Sequence, residues 1–325
     1  MGARIVGTGS YLPASVKTNA DLEQIVDTSE EWIVQRTGIK TRHLLSDRET
    51  PSDMGVEAAK RALEQLNLNA SDIDLLMVAT NFSDMICPGS APFIAEGLGL
   101  KDAPFFDLKA GCTGFVYGAA VANSLVSAGL SKRVLLIGLE ALSRVTDWTD
   151  RRTCVLFGDG AGAAILEPGD EGQGILGMAL FGDADKTMLL HLPAGGTRRP
   201  SSAETVADRE HFLRMEGAGV YRSAAPMMEK ASLQALAKAG LHLTDVDWII
   251  PHQANKRIIN ALIRRLGFDE QRVIVNLDRV ANTSTASIPI ALDEARRDGR
   301  IADGDVVLMT AFGAGVTYGA VVFRA

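Results

Sequence analysis

The stretch Ala62–Thr80, ALEQLNLNASDIDLLMVAT, has a counterpart in Ala235–Gln253, ALAKAGLHLTDVDWIIPHQ. Matching alanine, leucine and aspartate residues in the two stretches keep a constant separation of 173 residues. The same separation brings Val134–Leu136 onto Val307–Met309. Each stretch passes from a helical pattern through a turn into a short apolar strand pattern. We interpret this as an internal duplication; the alternative is a coincidence between two helix–turn–strand units.

The duplication predicts two similar α/β halves, residues 1–170 and 171–325. Between the repeated stretches, short apolar runs alternate with Ala- and Leu-rich helical patterns, which is typical of βαβ units with a parallel sheet. A chain of 325 residues, 46% of them hydrophobic, is long enough to bury such a core. Equivalent loops of two such halves would surround a pseudo-two-fold axis, a natural place for a shared site.

The charge and cysteine content exclude several classes of protein. A net charge of −7 argues against general binding to nucleic acid or to an anionic membrane. The chain has no apolar run long enough for a membrane helix, and residues 1–10 lack the order of a signal peptide. Three cysteines are too few for a secreted disulfide scaffold. We therefore expect a soluble cytoplasmic protein with reduced cysteines.

Cys112 is the cysteine whose context suggests reactivity. It lies in AGCTG, between the strand-like PFFDL and a helix predicted to run to Ala128, with Gly129 as its stop. A helix N-terminus favours the thiolate, lowers the thiol pKa and offers free amides for an oxyanion. The alternative is an inert buried cysteine. Cys87, in a loop before a proline, and Cys154, in an apolar run interpreted as a buried strand, are interpreted as packing residues.

His252 and Asn282 are the candidate partners of this cysteine. His252 follows the apolar strand VDWII, and the carboxyl ends of such strands face the ligand crevice of α/β sheets. Asn282, in VANTSTASIP, falls close to the place of Cys112 after the 173-residue shift, and a neutral amide could stabilise an enolate oxygen. An ordinary turn or helix cap is the alternative for Asn282. No Cys/His spacing suits a metal, so we expect no metal site.

Three glycine-rich strings, near Gly7, at Phe157–Ala163 and at Ala311–Gly319, lack the spacing of dinucleotide fingerprints or phosphate loops. We therefore do not expect a nicotinamide or nucleoside-triphosphate enzyme. The polar segment Gly182–Gly217 is long for a loop in a compact domain, and such loops are usually lids or interfaces.

Taken together, the strings DTSEEWIVQRTGI (Asp27–Ile39), AGCTGF, FGDGAGA, PHQAN and NTSTASIP closely resemble the β-ketoacyl-[acyl-carrier-protein] synthase III family of the thiolase superfamily. The resemblance covers the full length and implies the duplicated, five-layered α-β-α-β-α fold of thiolases. It also implies a catalytic set of Cys112, His252 and Asn282. The family's set differs from the Cys-His-His of chain-elongating synthases and from the second cysteine of thiolases.

The resemblance implies a decarboxylating condensation at this site. The Cys112 thiolate takes an acyl group from acyl-CoA, and the N–H groups of Cys112 and Ala314 form the oxyanion hole. His252 and Asn282 then donate to the thioester oxygen of malonyl-[acyl-carrier-protein] while carbon dioxide leaves. Acyl-CoA is a substrate here, so no cofactor is expected. The implied partners are acyl-CoA, malonyl-acyl carrier protein and a second copy of the chain in a homodimer, with no nucleic acid and no membrane.

The family pattern also assigns the CoA site and a docking surface. Trp32 and Arg151 would sandwich the adenine. The other residues implied in CoA or pantetheine binding are Thr28, Arg36, Thr37, Gly217, Tyr221 and Asn255. Lys256, Arg257, Arg264 and Arg265 would form a basic helical face for the acidic carrier protein; a solvated helix face is the ordinary alternative.

Two residues depart from the family pattern. Arg152 follows the adenine-stacking arginine, where glycine is usual, and would add charge at the CoA mouth. Cys87 replaces a phenylalanine that reaches the partner's acyl pocket, which predicts a larger pocket and a primer longer than acetyl. The first hypothesis is thus a synthase that starts fatty-acid biosynthesis. The others are a secondary-metabolism condensing enzyme or acyltransferase using the same site, and a non-catalytic scaffold.

Overall fold

The computed structural model describes residues 2–325, which form two central sheets and two small ribbons. The first sheet, in the order β1-β7-β6-β4-β5, contains β1 (Ala3–Tyr11), β4 (Leu75–Ala79), β5 (Phe105–Leu108), β6 (Val134–Ala141) and β7 (Asp159–Pro168). The second, in the order β11-β12-β13-β8, contains β8 (Gly174–Gly182), β11 (Trp248–Pro251), β12 (Val306–Gly313) and β13 (Thr317–Arg324). The ribbons pair β2 (Ser15–Thr18) with β3 (Thr41–Leu44), and β9 (Leu190–His191) with β10 (Arg214–Met215).

Ten α-helices are present in the described residues. They are α1 (Asn19–Glu23), α2 (Glu30–Thr37), α3 (Pro51–Gln65), α4 (Ala91–Leu98), α5 (Gly114–Ser127), α6 (Ala203–Ala207), α7 (Gly217–Ala239), α8 (Lys256–Leu266), α9 (Leu277–Val280) and α10 (Ser287–Arg297). Among residues 2–325, no helix combines the length and the apolar character needed to cross a membrane.

The two sheets repeat the same strand pairing. In the first, β4 runs parallel to β6 with Leu75 opposite Val134; in the second, β11 runs parallel to β12 with Trp248 opposite Val307. Both residue pairs keep the separation of 173, and so do the first residues of α5 and α10. The repeat read from the sequence is therefore a repeat of strand register and helix start.

Three hydrophobic clusters divide the molecule into five layers. Helices α3 and α4 pack on the outer face of the first sheet, and α7 and α8 on the outer face of the second. Helices α5 and α10 lie between the inner faces of both sheets. Strand β4 shows the alternation, since Leu76 and Val78 face the outer cluster while Leu75 and Met77 face the middle one. Burial on both faces explains why the central strands are continuously apolar.

Two local predictions differ from the structure. Cys154 is buried but lies in a series of turns at residues 151–156, and strand β7 begins only at Asp159. Its N–H donates to the Asp150 carbonyl at 3.0 Å, which is turn geometry, so the interpretation as a strand is wrong. The segment 182–217 includes β9, α6 and β10 rather than being a continuous loop.

Candidate active site

Cys112, His252 and Asn282 line one cavity of about 410 Å³. Cys112 lies in the turn before α5, His252 directly after β11, and Asn282 in the turn before α10. All three are buried, whereas Trp32 is half-buried and Arg151 is exposed at the mouth of the same cavity. Because α5 and α10 occupy equivalent places in the duplicated fold, their N-terminal turns meet across the middle layer.

The turn carrying Cys112 approaches the end of β12 unusually closely. A Cβ atom on Gly313 would lie 2.3 Å from the Cys112 nitrogen, and one on Gly111 would lie 2.6 Å from the Ala314 nitrogen. Glycine at both positions therefore lets the two backbones meet. The result is that the N–H groups of Cys112 and Ala314 both donate to the Cys112 sulfur. Two amides converging there are placed as an oxyanion hole requires.

The protonation of Cys112 differs from the sequence expectation. Burial raises the pKa of its thiol to about 11, outweighing the opposing hydrogen bonds from Ser284 and from the amides of Ala314 and Cys112. The predicted lowering of the pKa by the start of α5 is thus wrong. Residues 110–115 indicate a helix start but not the depth at which the sulfur lies, and removing a thiolate from water is the larger effect.

His252 is held neutral and in one orientation. Burial lowers the pKa of His252 to about 3, so the ring carries one proton at neutral pH. Its Nδ1 atom lies 2.7 Å from Ser287 Oγ, which itself accepts from the Gln253 N–H at 3.3 Å. The Ser287 proton is then directed at Nδ1, which leaves the imidazole proton on Nε2. A neutral ring with a protonated Nε2 can donate one hydrogen bond into the cavity.

Asn282 is fixed by its own turn and by the backbone beside it. Its Oδ1 atom accepts from the Ser284 N–H at 2.9 Å. Its N–H donates to the Leu156 carbonyl, and its carbonyl accepts from the Gly158 N–H, each at 3.0 Å. With Oδ1 engaged, the Nδ2 group is the part of the side chain available to a ligand. Asn282 therefore offers a second neutral donor beside His252.

The mouth of the cavity is closed by stacking between its own residues. The Arg151 guanidinium carbon lies 5.2 Å from the centre of the Trp32 ring, and Arg151 Nη1 donates to the Asp27 carbonyl at 2.8 Å. A purine stacked on both faces would need about 7 Å, twice a carbon contact distance of about 3.5 Å. Arg151 must therefore move outward before a purine can enter.

Most of the residues implied for CoA binding line this cavity. They are Trp32, Arg36, Thr37, Arg151, Gly217, Tyr221 and Asn255. Thr28 does not line it, although its Oγ1 atom is buried without a hydrogen-bond partner. Arg152 does line the cavity, but its guanidinium forms an ion pair with Asp150 at 2.9 Å. The charge that Arg152 adds to the mouth is thus largely offset by its neighbour.

A second cavity, of about 360 Å³, opens on the other side of Cys112. Its apolar walls include Leu142, Leu190 and Leu213. It is thus suited to an acyl chain attached to the cysteine. Cys87 lines neither cavity within this chain, being exposed on the loop between β4 and α4.

The predicted basic face lies on α8, which begins beside the cavity mouth. Arg257 lies over the Tyr221 ring at 5.2 Å, and both residues line the cavity. Arg265 is paired with Glu229 at 2.6 Å, so part of the predicted charge is neutralised. Arg222 on α7 lines the same shallow surface groove as Arg264, an addition that the α8 sequence could not reveal.

Sequence analysis missed three polar residues around the reactive groups. Ser287 contacts His252, and Ser284 lies 3.4 Å from the Cys112 sulfur. Glu140, at the end of β6, lies 3.3 Å from the Ser284 hydroxyl and is fully buried. A glutamate near the end of an apolar strand is a detectable signal, since charged residues are almost never fully buried. Within residues 2–325, no group of three or more His, Cys, Asp or Glu side chains could hold a metal ion.

A five-layered duplicated fold with a cysteine, a histidine and an asparagine in one buried cavity defines a condensing enzyme of the thiolase type. The family model of the 3-oxoacyl-[acyl-carrier-protein] synthase III domain matches residues 106–184, and the model of its C-terminal part matches residues 236–325. The chain belongs to the β-ketoacyl-[acyl-carrier-protein] synthase III family. The resemblance read from the sequence is thereby confirmed.

Several relatives agree over essentially the whole chain. The β-ketoacyl-[acyl-carrier-protein] synthase III of Desulfitobacterium hafniense (strain DSM 10664 / DCB-2) is 51% identical, covering 98% of this chain and 97% of its own. That of Caldanaerobacter subterraneus subsp. tengcongensis is 48% identical, covering 100% of this chain and 98% of its own. The crystal structure of 3-oxoacyl-[acyl-carrier-protein] synthase III from Aquifex aeolicus VF5 superimposes with a TM-score of 0.93 at 42% identity, covering 100% of both chains. The predicted thiolase-like fold is confirmed by this superposition.

Proposed function

We propose that this chain condenses a short acyl-CoA with malonyl-[acyl-carrier-protein], giving β-ketoacyl-[acyl-carrier-protein], CoA and carbon dioxide, as the first step of fatty-acid biosynthesis. The observation that carries the proposal is the single buried cavity holding Cys112, His252 and Asn282. That cavity combines a nucleophile with two neutral hydrogen-bond donors, the combination that an acyl transfer followed by a decarboxylation needs.

In the first step, the Cys112 sulfur attacks the thioester carbonyl of acyl-CoA. The carbonyl oxygen becomes an oxyanion, which the N–H groups of Cys112 and Ala314 stabilise. Collapse of the tetrahedral intermediate breaks the bond to the CoA sulfur and leaves the acyl group on Cys112. The apolar cavity beyond Cys112 then holds the acyl chain.

In the second step, malonyl-carrier protein replaces CoA. His252 Nε2 and Asn282 Nδ2 donate to the thioester oxygen, so that loss of carbon dioxide produces a stabilised enolate. The enolate carbon attacks the acyl-cysteine carbonyl, a carbon–carbon bond forms, and the Cys112 sulfur leaves. Because burial lowers the pKa of His252 to about 3, the ring stays neutral and remains a donor throughout.

CoA is proposed to enter between α2 and the turns at residues 151–156, with acyl-CoA as a substrate and no resident cofactor. Arg151 swings away from Trp32, and the adenine takes the space between them. The residues proposed to contact CoA or its pantetheine arm are Thr28, Trp32, Arg36, Thr37, Arg151, Gly217, Tyr221 and Asn255. The buried, unpartnered Oγ1 of Thr28 supports a polar contact there.

The carrier protein is proposed to dock on the basic residues of α8, Lys256, Arg257, Arg264 and Arg265. Helix α8 starts at the cavity mouth, so a carrier bound there would deliver its arm directly to Cys112. Acidic partners approach a basic patch by long-range attraction, which weakens with salt. Association should therefore slow as the ionic strength is raised.

A homodimer is proposed to form along the free edge of the first sheet, at β5. Phe105 and Phe106 on this edge strand are 47% and 40% exposed, and Ile86 on the neighbouring loop is 89% exposed. An exposed apolar edge strand favours pairing with a second copy. Cys87, next to Ile86, would then face the partner's acyl cavity and enlarge it. The halves are proposed to be residues 1–170 and 171–325, and the enzyme to act in the cytoplasm with its three cysteines free.

The test is to incubate the purified protein with malonyl-carrier protein and a panel of acyl-CoAs. We expect carbon dioxide and β-ketoacyl-carrier protein, with primers longer than acetyl accepted and Cys87→Phe shortening the preferred chain. Acyl transfer without carbon dioxide from any primer would instead favour the alternative, an acyltransferase using the same site. Unchanged chain-length preference in Cys87→Phe would contradict the proposed role of that residue.

A further inference from the structure

The buried surroundings of Cys112 leave its proton without an obvious destination. Burial raises the pKa of the thiol to about 11, so almost none of it is ionised at neutral pH. His252 makes its printed side-chain contact with Ser287 and, as argued above, carries its proton on Nε2. If Cys112 is the nucleophile, as proposed above, a group other than His252 has to take this proton before the sulfur can attack.

Ser284 connects the sulfur to a buried carboxyl group. Its hydroxyl oxygen lies 3.4 Å from Cys112 Sγ and 3.3 Å from Glu140 Oε1. The single hydroxyl proton can serve only one of these neighbours at a time. Ser284 also has a φ of 50°, in the left-handed region that few residues other than glycine occupy. Backbone strain of this kind is typical of functional sites, and here it holds the hydroxyl between the two groups.

Glu140 has the environment of a group that exchanges a proton. It is fully buried and forms no ion pair with any of residues 2–325, while its Oε1 accepts from the Asn81 backbone at 2.9 Å. Its Oε2 atom is buried with no hydrogen-bond partner. An unpaired carboxylate is costly to bury. Burial accordingly raises the pKa of Glu140 to about 7, so both protonation states are populated at neutral pH.

Other charged groups packed around β6 are engaged elsewhere. On β7, Asp159 accepts from the Leu45 N–H at 2.7 Å. On α10, Asp293 accepts from Ser10 at 2.5 Å. On α3, Arg61 donates to the Ser10 carbonyl at 2.6 Å. Strand β4 and helix α5 contain no charged residue. Cys112 is therefore the titratable group that Glu140 faces through Ser284.

We propose that Glu140 accepts the proton of the Cys112 thiol through the hydroxyl of Ser284. The S–H bond breaks as the proton passes to Ser284 Oγ, and the hydroxyl proton passes to Glu140. The sulfur then bonds to the acyl carbon, and CoA leaves as a thiolate that takes a proton from solvent. When condensation releases the Cys112 sulfur, the proton returns from Glu140 by the same path. Glu140 is a positioning residue for the proton, because it acts on the sulfur only through Ser284.

A purely electrostatic role for Glu140 predicts the opposite result from a relay. A negative neighbour raises the pKa of Cys112, so without a relay Glu140→Gln should make the thiol more reactive. With a relay, the same substitution removes the proton acceptor, and the thiol should react about 10²-fold more slowly at pH 8. The sign of the change therefore distinguishes the two roles.

The experiment measures alkylation of Cys112 by iodoacetamide between pH 5.5 and 9.5, followed by peptide mass spectrometry. The exposed Cys87 in the same molecules serves as the internal reference. We expect the rate at Cys112 in the unaltered protein to rise through a step near pH 7. This step should be lost in Glu140→Gln and Ser284→Ala, partly restored in Glu140→Asp, and unchanged in the control Glu96→Gln, which alters an exposed residue of α4.

An unchanged or faster rate in both Glu140→Gln and Ser284→Ala, with circular dichroism like that of the unaltered protein, would overturn the relay. If Glu140→Gln does not fold, Ser284→Ala decides alone, because it removes only one hydroxyl. The alkylation needs no substrate, so it is independent of the condensation assay. Failure of the unaltered protein to condense would refute the proposed function, whereas a normal condensation with an unaltered pH step in the variants would refute only the relay.

Discussion

The turn before α5 and the turn before α10 occupy equivalent places in the two halves but are built differently. The first reaches the left-handed region with glycine, Gly111 at φ 60°. The second does so with Ala281 at φ 62° and Ser284 at φ 50°, residues that adopt this conformation at a cost. The first turn presents a sulfur that accepts two amide protons, and the second presents an amide that donates. Duplication thus supplied one scaffold, and divergence of the two turns divided the proposed chemistry between them.

The strongest way to break this comparison is to remove the reactive atom of the first turn. Cys112→Ala should lower condensation by about 10⁴-fold or more, as expected when a nucleophile is lost. It should still release carbon dioxide from malonyl-carrier protein, because His252 and Asn282 are unchanged. The measurement is condensed product and carbon dioxide in parallel assays. Loss of both products in a folded variant would show that the two turns do not act separately.

The reciprocal change addresses the second turn. His252→Ala or Asn282→Ala should slow decarboxylation by about 10²–10³-fold, since each removes one donor to the enolate oxygen. Acylation of Cys112 by radiolabelled acyl-CoA should remain within a few-fold of normal. Mass spectrometry of the intact protein checks the acyl-enzyme. If the acylation rate falls as far as the decarboxylation rate, the proposed division between the turns is wrong.

A smaller effect is expected where β12 meets the first turn. The added Cβ of Gly313→Ala would lie 2.3 Å from the Cys112 nitrogen, so the backbone has to separate and the Ala314 amide moves away from the oxyanion. Acyl transfer should fall by about 10²-fold, near the lower bound for losing one oxyanion donor. Gly196→Ala is the matched control, because nothing lies within 4 Å of its added Cβ. Equal rates for the two variants would contradict the proposed role of the Ala314 amide.

The repeated register and the three reactive residues were predictable because both follow from local pattern. Short apolar strands after capped helices fix β4 and β11, and a fixed separation then places the turns before α5 and α10 opposite each other. Burial depth is not a local property, so the raised pKa of Cys112 was not predictable from AGCTG. Glu140 and Ser284 are far apart in the chain and meet only through the packing of β6 against the second turn.

The same limit explains two errors at shorter range. The apolar run around Cys154 has the composition of a strand, but the Asp150 carbonyl accepts its N–H and forms a turn instead. Arg151 stacks directly on Trp32 in the absence of a purine, since an aromatic face near a guanidinium is attractive by itself. A motif can therefore identify which residues share a site without giving the arrangement that they adopt before a ligand arrives.

The smallest predicted effect concerns the stability of the second turn. Ala281 combines φ 62° with ψ −164°, a region that essentially only glycine occupies without strain. Ala281→Gly should therefore raise the free energy of unfolding by about 1 kcal/mol, measured by urea denaturation followed by circular dichroism.

Ala286→Gly is the matched control for this prediction. Ala286 is equally buried but has a φ of −76°, where alanine is unstrained. The control should lose about 0.5–1 kcal/mol, because glycine adds conformational freedom to the unfolded chain without relieving strain. The opposite signs make the pair informative. Destabilisation of both variants by the same amount would mean that the second turn stores no backbone strain, and the contrast with the glycine-built first turn would then concern chemistry alone.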